Sequence, residues 1–294
     1  MAFNLKNPYR QFVAEYVRLA AAGKQLPLGG IPLRRKPAPQ PGAPVALIFS
    51  PHPDDECITG GLALRLLREA GMRIINVAIT LGSDKKRRPA RLRELKNACA
   101  WLGFDLEEAG LEKVDPVSLV ENRKHLLAAV KVVAELLIMH RPRAIFFPHE
   151  ADWHATHVGT HCLVMRALKT LPRDFQTTLV ETEFWGQMGS PNLMVESGAD
   201  DVADLLAALS FHAGEMRRNP YHLRLPAWMQ DNVRRGAEVV GGAGQAAPDF
   251  TFATLYRLRR WKNGRAEFFS KRGLKIGAAE NPSVIFNNRS AGKF

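Results

Sequence analysis

The chain has 294 residues, 46% hydrophobic, 8% aromatic and 24% charged, with three cysteines. That mixture excludes a disordered chain, a collagen-like repeat and a secreted disulfide scaffold, and predicts one large globular domain, two at most, in a reducing, cytoplasmic setting. Forty-one Lys and Arg against twenty-nine Asp and Glu leave +12, a balance that taken alone suggests nucleic acid, an anionic membrane or an acidic substrate.

Residues 10–22 place Phe12, Val13, Tyr16 and Leu19 at helical spacing, which predicts a short docking helix. Arg10, Glu15 and Arg18 break up its apolar residues, so it lacks the apolar core of a secretory signal. Five prolines within 32–44 then forbid regular structure and mark a strap. From Pro44 strand and helix alternate. VALIFS (45–50) reads as a buried strand and TGGLALRLLREAG (59–71) as a glycine-capped helix. RIINVAITL (73–81) is a second strand, followed by a helix over about 89–102 that Gly103 closes. SLVENRKHLLAAVKVVAELLIMH (118–140) reads as one long helix, and its most apolar part, 126–139, is too short and too charged to cross a bilayer. AIFFP (144–148), a helix over 157–170 and TTLVETEFW (177–185) continue the alternation, and DFTFATLYRLRRW (249–261) again alternates like a strand.

The order predicts a mostly parallel α/β sheet, Rossmann-like, with helices on both faces and ligands bound at the carboxyl ends of the strands. It divides the chain into an N-terminal helix and Pro-rich strap (1–43), a catalytic domain (44–250) and a basic β-type extension packed on the core (251–294).

The first strand runs straight into Ser50-Pro51-His52-Pro53-Asp54-Asp55-Glu56. Charged groups at the end of a buried strand need a partner, and a divalent cation suits one histidine with adjacent carboxylates. A helix-capping cluster would account for one aspartate and Glu56 but leaves His52 and the second aspartate unexplained. The third strand empties into His149-Glu150-Ala151-Asp152-Trp153-His154-Ala155-Thr156-His157, with His161 on the next turn. Four of the nine histidines thus fall within thirteen residues, at the same sheet edge. His149 and His161, taken singly, read as structural; His154 and His157 converge with His52 and Asp55. Two histidines and a carboxylate with an open position make a hydrolytic zinc site, although ligand type alone does not separate Zn2+ from Fe2+ or another divalent metal. An Fe(II) oxygenase facial triad is disfavoured, because those sites ride on antiparallel double-sheet folds.

PHPDDE resembles the AHPDDE signature of the LmbE/PIG-L family of metal-dependent de-N-acetylases, and Asp152-x-His154-x-x-His157 looks like that family's second motif. Gly60-Gly61, Thr80-Leu81-Gly82, Arg91-x-x-Glu94 and Leu102-Gly103 follow the family order between them, and LSFHAGE (209–215) is a weaker echo beyond. The resemblance implies His52, Asp55 and His157 as metal ligands and Asp54 as the general base acting on water. It implies His154 as the group that donates to the oxyanion or protonates the leaving amine. It departs at Thr156, where many members carry aspartate; Asp152 is the candidate substitute, and Asp152 and Glu56 are expected to support the site from behind. The expected substrate is a small-molecule N-acyl amino sugar or glycoconjugate. Arg91, together with Lys85 and Arg88 of the basic run 85–88, would recognise an anionic group on it, and Trp153 would stack on its sugar ring. Cys57 reads as a small core residue.

The rival class is a basic polyanion- or nucleic-acid-binding protein with a structural or vestigial metal site. The distribution of charge weighs against it. Residues 1–43 carry +6 and 251–294 carry +8, whereas 45–250 sum to −2. Nucleic acid is therefore not the expected substrate, and homo-oligomerisation is left open.

Overall fold

The computed structural model describes residues 7–33, 40–269 and 273–287. Parts of the expected strap (1–6 and 34–39) and of the tail (270–272 and 288–294) lie outside the described residues. In chain order the elements are α1 (Tyr9–Gly23), β1 (Val45–Ser50), α2 (Asp55–Ile58), α3 (Gly61–Ala70), β2 (Arg73–Ala78), α4 (Arg88–Leu102) and β3 (Asp105–Glu108). Then come α5 (Pro116–Glu121), α6 (Arg123–His140), β4 (Ala144–Pro148), α7 (Ala155–Thr170), β5 (Thr177–Thr182), β6 (Leu193–Glu196), α8 (Ala199–Ser210) and α9 (Ala213–Arg218). The last described are α10 (Leu225–Val239), β7 (Ala253–Lys262), β8 (Arg265–Phe268) and β9 (Leu274–Ile276), with 3-10 turns at Tyr221–Leu223 ahead of α10 and at Pro282–Phe286 after β9.

The sheet runs β3-β2-β1-β4-β5-β7-β6-β9, with β8 paired to β7. Its first five strands are parallel, and their register places Ile75, Leu47, Ile145 and Leu179 in one row across the sheet. That row faces the core formed with α5, α6 and α7. The alternate residues Ala46, Ile48, Phe146 and Val180 face the core formed with α3, α4, α8 and α10. A strand covered on both sides must be apolar at every position, which is why VALIFS and AIFFP read as unbroken runs rather than alternations. The expected α/β sheet with helices on both faces is the fold observed.

Three local differences have identifiable causes. The helix expected over 59–71 starts only at Gly61, and a separate short helix, α2, precedes it, the two parted at Thr59-Gly60. Tyr256 of β7 occupies the break, donating from its hydroxyl to the Thr59 carbonyl at 3.0 Å and accepting from the Leu62 N–H at 3.0 Å. A Cβ on Gly61 would lie 2.9 Å from the Ser197 hydroxyl and would have to displace it. The helix expected over 118–140 is two helices, because the Asn122 side chain accepts from the His125 N–H at 2.9 Å and starts a new helix. The third concerns the tail. β7 is inserted in the sheet, antiparallel between β5 and β6, rather than laid over a finished core. Its Ala253, Leu255, Tyr256 and Leu258 are fully buried.

Candidate active site

The motif turn lies where β1 ends, at the carboxyl edge of the parallel strands, as the topology requires. The Thr80 hydroxyl donates to the Pro51 carbonyl at 2.9 Å, and Arg91 Nη2 donates to the Pro53 carbonyl at 3.2 Å. These bonds hold Asp54 at φ 122°, a conformation that a residue with a side chain adopts only when its surroundings impose it. Glu56 completes the brace. Its Oε2 accepts from the Asp54 N–H at 2.9 Å, and its Oε1 accepts from His212 Nε2 at 2.7 Å and from the Cys57 thiol at 3.2 Å. Glu56 and His212 are both buried; burial opposes charge on His212, but Glu56 outweighs it and raises the pKa. Burial, then Glu56, pushes the Cys57 thiol up, so it stays protonated and inert.

Asp55 turns back toward its neighbours. Its Oδ2 accepts from the His52 N–H at 2.9 Å and lies 3.5 Å from His52 Nδ1 and 3.4 Å from His157 Nε2. The second motif arrives at the N-terminus of α7. Asp152 Oδ1 accepts from the His154 N–H at 2.8 Å, and Oδ2 lies 3.6 Å from His157 Nδ1. Asp152 thereby orients His157 so that Nε2 faces His52 and Asp55. A carboxylate behind a histidine in this way fixes the tautomer of a metal ligand. The role expected of Asp152 toward His154 is thus exercised through the His154 backbone, and its side-chain partner is His157.

One ligand atom from each of His52, His154 and His157 lies within 4.8 Å of the others. His157 Nε2 is buried and makes no hydrogen bond. An orphaned imidazole nitrogen facing a second histidine and a carboxylate fits a divalent cation. The cavity beneath, about 10 Å3, is bounded by Phe49, Phe146 and Phe147 and by Asp55, Asp152 and His157, and holds at most about one water.

Burial, followed by the charge of Asp55, pushes the Asp54 carboxyl up to about 7, against opposing influences from His212, Tyr221 and Arg91. The Tyr221 hydroxyl donates to Asp54 Oδ2. Burial and then Asp54 raise the pKa of that phenol, so it remains a donor. Burial opposes ionisation of Asp55, but His157 and His52 outweigh it and hold the carboxyl low. Burial likewise opposes charge on His157, while Asp55 and Asp152 raise its pKa. His154 moves the other way, lowered by burial and then by His52 and His157. Its Nδ1 accepts from the Thr156 N–H at 3.2 Å, so its proton sits on Nε2. Thr156 thus sets the tautomer of His154 through its backbone.

The other expected residues are placed as follows. Arg91 lies under the motif turn, against Gly82, where a Cβ would come 2.2 Å from Nη1. Arg88 and Lys85 both pair with Glu112, Lys85 at 3.6 Å, and Arg87 pairs with Glu215 at 2.9 Å. The basic run therefore meets acidic partners within the chain. Trp153 is 77% exposed, beside His154 with ring centroids 6.1 Å apart. The loop after β5 packs against it, with His149 Nε2 donating to the Gly186 carbonyl at 2.9 Å, and carries Trp185, 40% exposed and 5.6 Å from the Tyr221 ring. His161 donates to the Pro148 carbonyl at 3.0 Å. Tyr221 and His212 are the participants that motif reading passed over. His212 left a trace as a lone histidine in the apolar LSFH, whereas Tyr221 left none.

Residues 47–168 match the family model for PIG-L, GlcNAc-PI de-N-acetylase. A probable N-acetyl-alpha-D-glucosaminyl L-malate deacetylase 2 of Bacillus cereus is 28% identical over 141 residues, 44% of this chain. The match spans 62% of that relative's own length. Among solved structures, the N,N'-diacetylchitobiose deacetylase of Pyrococcus horikoshii superposes with a TM-score of 0.55 at 16% identity, over 86% of this chain and 93% of its own. GalB, the 4-carboxy-2-hydroxymuconate hydratase of Pseudomonas putida, superposes at 0.53 and 16% identity, over 73% and 95%. The fold and the paired motif loops define a Rossmann-like α/β protein with its polar site at the strand ends. Both site motifs fall within the residues that match the PIG-L family model.

Proposed function

We propose that the protein is a metal-dependent N-deacetylase, Zn2+ being the cation its donor set suits, acting on an N-acyl amino sugar or related small molecule. The observation that carries this reading is the convergence of His52, Asp55 and His157 on one point, with Asp54 beside them and the His154 ring 4.8 Å from that of His52. His52, Asp55 and His157 would hold the cation, which when bound acts as a Lewis acid on the amide carbonyl and on water. Asp54 accepts the proton of the attacking water; a base poised near neutrality is suited to that transfer. Neutral His154 donates a hydrogen bond from Nε2 to the developing oxyanion, and the leaving amine takes from Asp54 the proton that Asp54 received from the water. The donor is therefore a neutral imidazole with a fixed tautomer. Trp153 and Trp185 offer exposed indole faces on either side of the mouth for a sugar ring. None of the three cysteines is in a disulfide, in keeping with a reducing, cytoplasmic setting.

Acetate release from N-acetylglucosamine derivatives, measured before and after chelation and after adding back Zn2+, tests the reading. Loss on chelation and recovery with metal is expected. Purified protein that binds no metal, or releases no acetate from any such substrate, would sink it. A hydratase shares this fold, so the product and not the fold must decide.

A further inference from the structure

Among the described elements of more than four residues, α1 is the one in which no residue is buried. At 100° per residue, Tyr9, Phe12, Val13, Tyr16, Val17 and Leu19 fall on an arc of about 160°, with Gln11, Glu15 and Arg18 opposite. Phe12, Val13, Val17 and Leu19 are 57–70% exposed. The helix touches the body at its C-terminal half, where Tyr16 donates to Gln230 Oε1 at 3.3 Å and Gly23 lies against Leu223. Its remaining apolar face meets no described residue that buries it.

We propose that α1 docks the protein on an anionic lipid surface, lying in the interface with the part of its apolar arc that the body leaves exposed, Tyr9, Phe12, Val13, Val17 and Leu19, among the acyl chains. Two properties select that partner. The arc is apolar and aromatic, which a bilayer rewards and a nucleic acid does not. The segment that carries it, residues 1–43, holds seven basic residues and one acidic residue, so it is attracted to negative headgroups. Pairing with α1 of a second copy is the alternative. A fifteen-residue helix is about 22 Å long and its face would bury on the order of 200 Å2, far short of the roughly 800 Å2 per partner that a stable interface needs. Such pairing would also bring two +6 segments together. Leu223, which receives Gly23, is in the same 3-10 turn as Tyr221, so the docking helix is seated on the turn that reaches Asp54. The inference does not depend on the reaction catalysed.

Co-sedimentation of the full chain with vesicles tests it, using phosphatidylcholine alone and phosphatidylcholine with roughly a third phosphatidylglycerol. Partitioning to the anionic vesicles is expected to be about tenfold stronger or more, and to weaken as salt is raised. Phe12→Glu combined with Leu19→Glu, both exposed, should reduce it about tenfold or more while the melting temperature stays unchanged. Equal partitioning to both vesicles, no partitioning to either, or undiminished binding by the double variant would overturn the proposal. So would a dimer in solution that the double variant dissociates, which would assign the face to a second copy, or binding of a DNA duplex that the double variant retains while vesicle binding is absent.

Discussion

The two loops that form the site are built in opposite ways. The first-motif turn is buried and strained, and its shape is imposed by Thr80, Arg91, His212 and Tyr221 from outside, with Glu56 relaying His212 to the turn. The second-motif loop organises itself within a few residues: Asp152 caps the His154 N–H, His154 caps Thr156, and Asp152 orients His157. The first loop therefore depends on residues up to 167 positions away, and the second carries its own instructions. The difference follows from what each presents. In the proposed reading, a base beside a cation would have to be held at one angle against strain, whereas a ligand at a helix start and an exposed indole would need only a local cap.

Substitutions should separate the two loops. The largest effect is expected for His157→Ala, which removes the nitrogen facing Asp55; bound metal and acetate release should fall together, and retention of either would refute the ligand assignment. Asp54→Asn should keep the metal but lower kcat by about 10^2–10^4, the usual worth of a general base. In the parent protein Asp54 must be ionised to accept a proton, so activity should fall as pH drops through its pKa. Since a bound cation favours the carboxylate, that acid limb should lie at or below about 7.

Asp152→Asn comes next, weakening metal affinity by roughly 10–100-fold, as loss of a carboxylate behind a ligating histidine does; a chelator competition measures it. Tyr221→Phe should cost up to about tenfold in kcat. Its hydroxyl favours ionised Asp54, so its removal should move the acid limb to higher pH. A lower kcat with an unmoved limb would assign Tyr221 to packing alone. The smallest effect belongs to Lys85→Gln. Lys85 is exposed and already faces Glu112, and KM for charged and uncharged N-acetyl sugars should change by less than about twofold. A selective rise for charged substrates would return the basic run to substrate recognition.

Much of the parallel half of the fold was legible, because strands buried on both faces leave unbroken apolar runs such as VALIFS and AIFFP. β3, Asp105–Glu108, was not, since an edge strand of sequence DLEE has no apolar signature. The placement of β7 was not legible either. Its alternation announces a strand, but which neighbours it pairs with depends on contacts more than seventy residues away. That insertion also changes the meaning of the C-terminal charge. Arg257 pairs with Glu181 and Glu150, and Arg259 with Glu181, so part of the basic excess is matched by buried acid in the core.

The motifs alone determined which side chains could hold a cation and which aspartate stands beside it, because spacing at a strand end and a helix start is local. Only the tertiary structure decided that Asp152 works on His157, that Lys85 and Arg88 face Glu112, and that Tyr221 and His212 stand behind the base. Those relations depend on pairing between distant segments. A charged side chain at a buried edge takes the partner that folding brings to it, and its neighbours in sequence do not reveal which one that is.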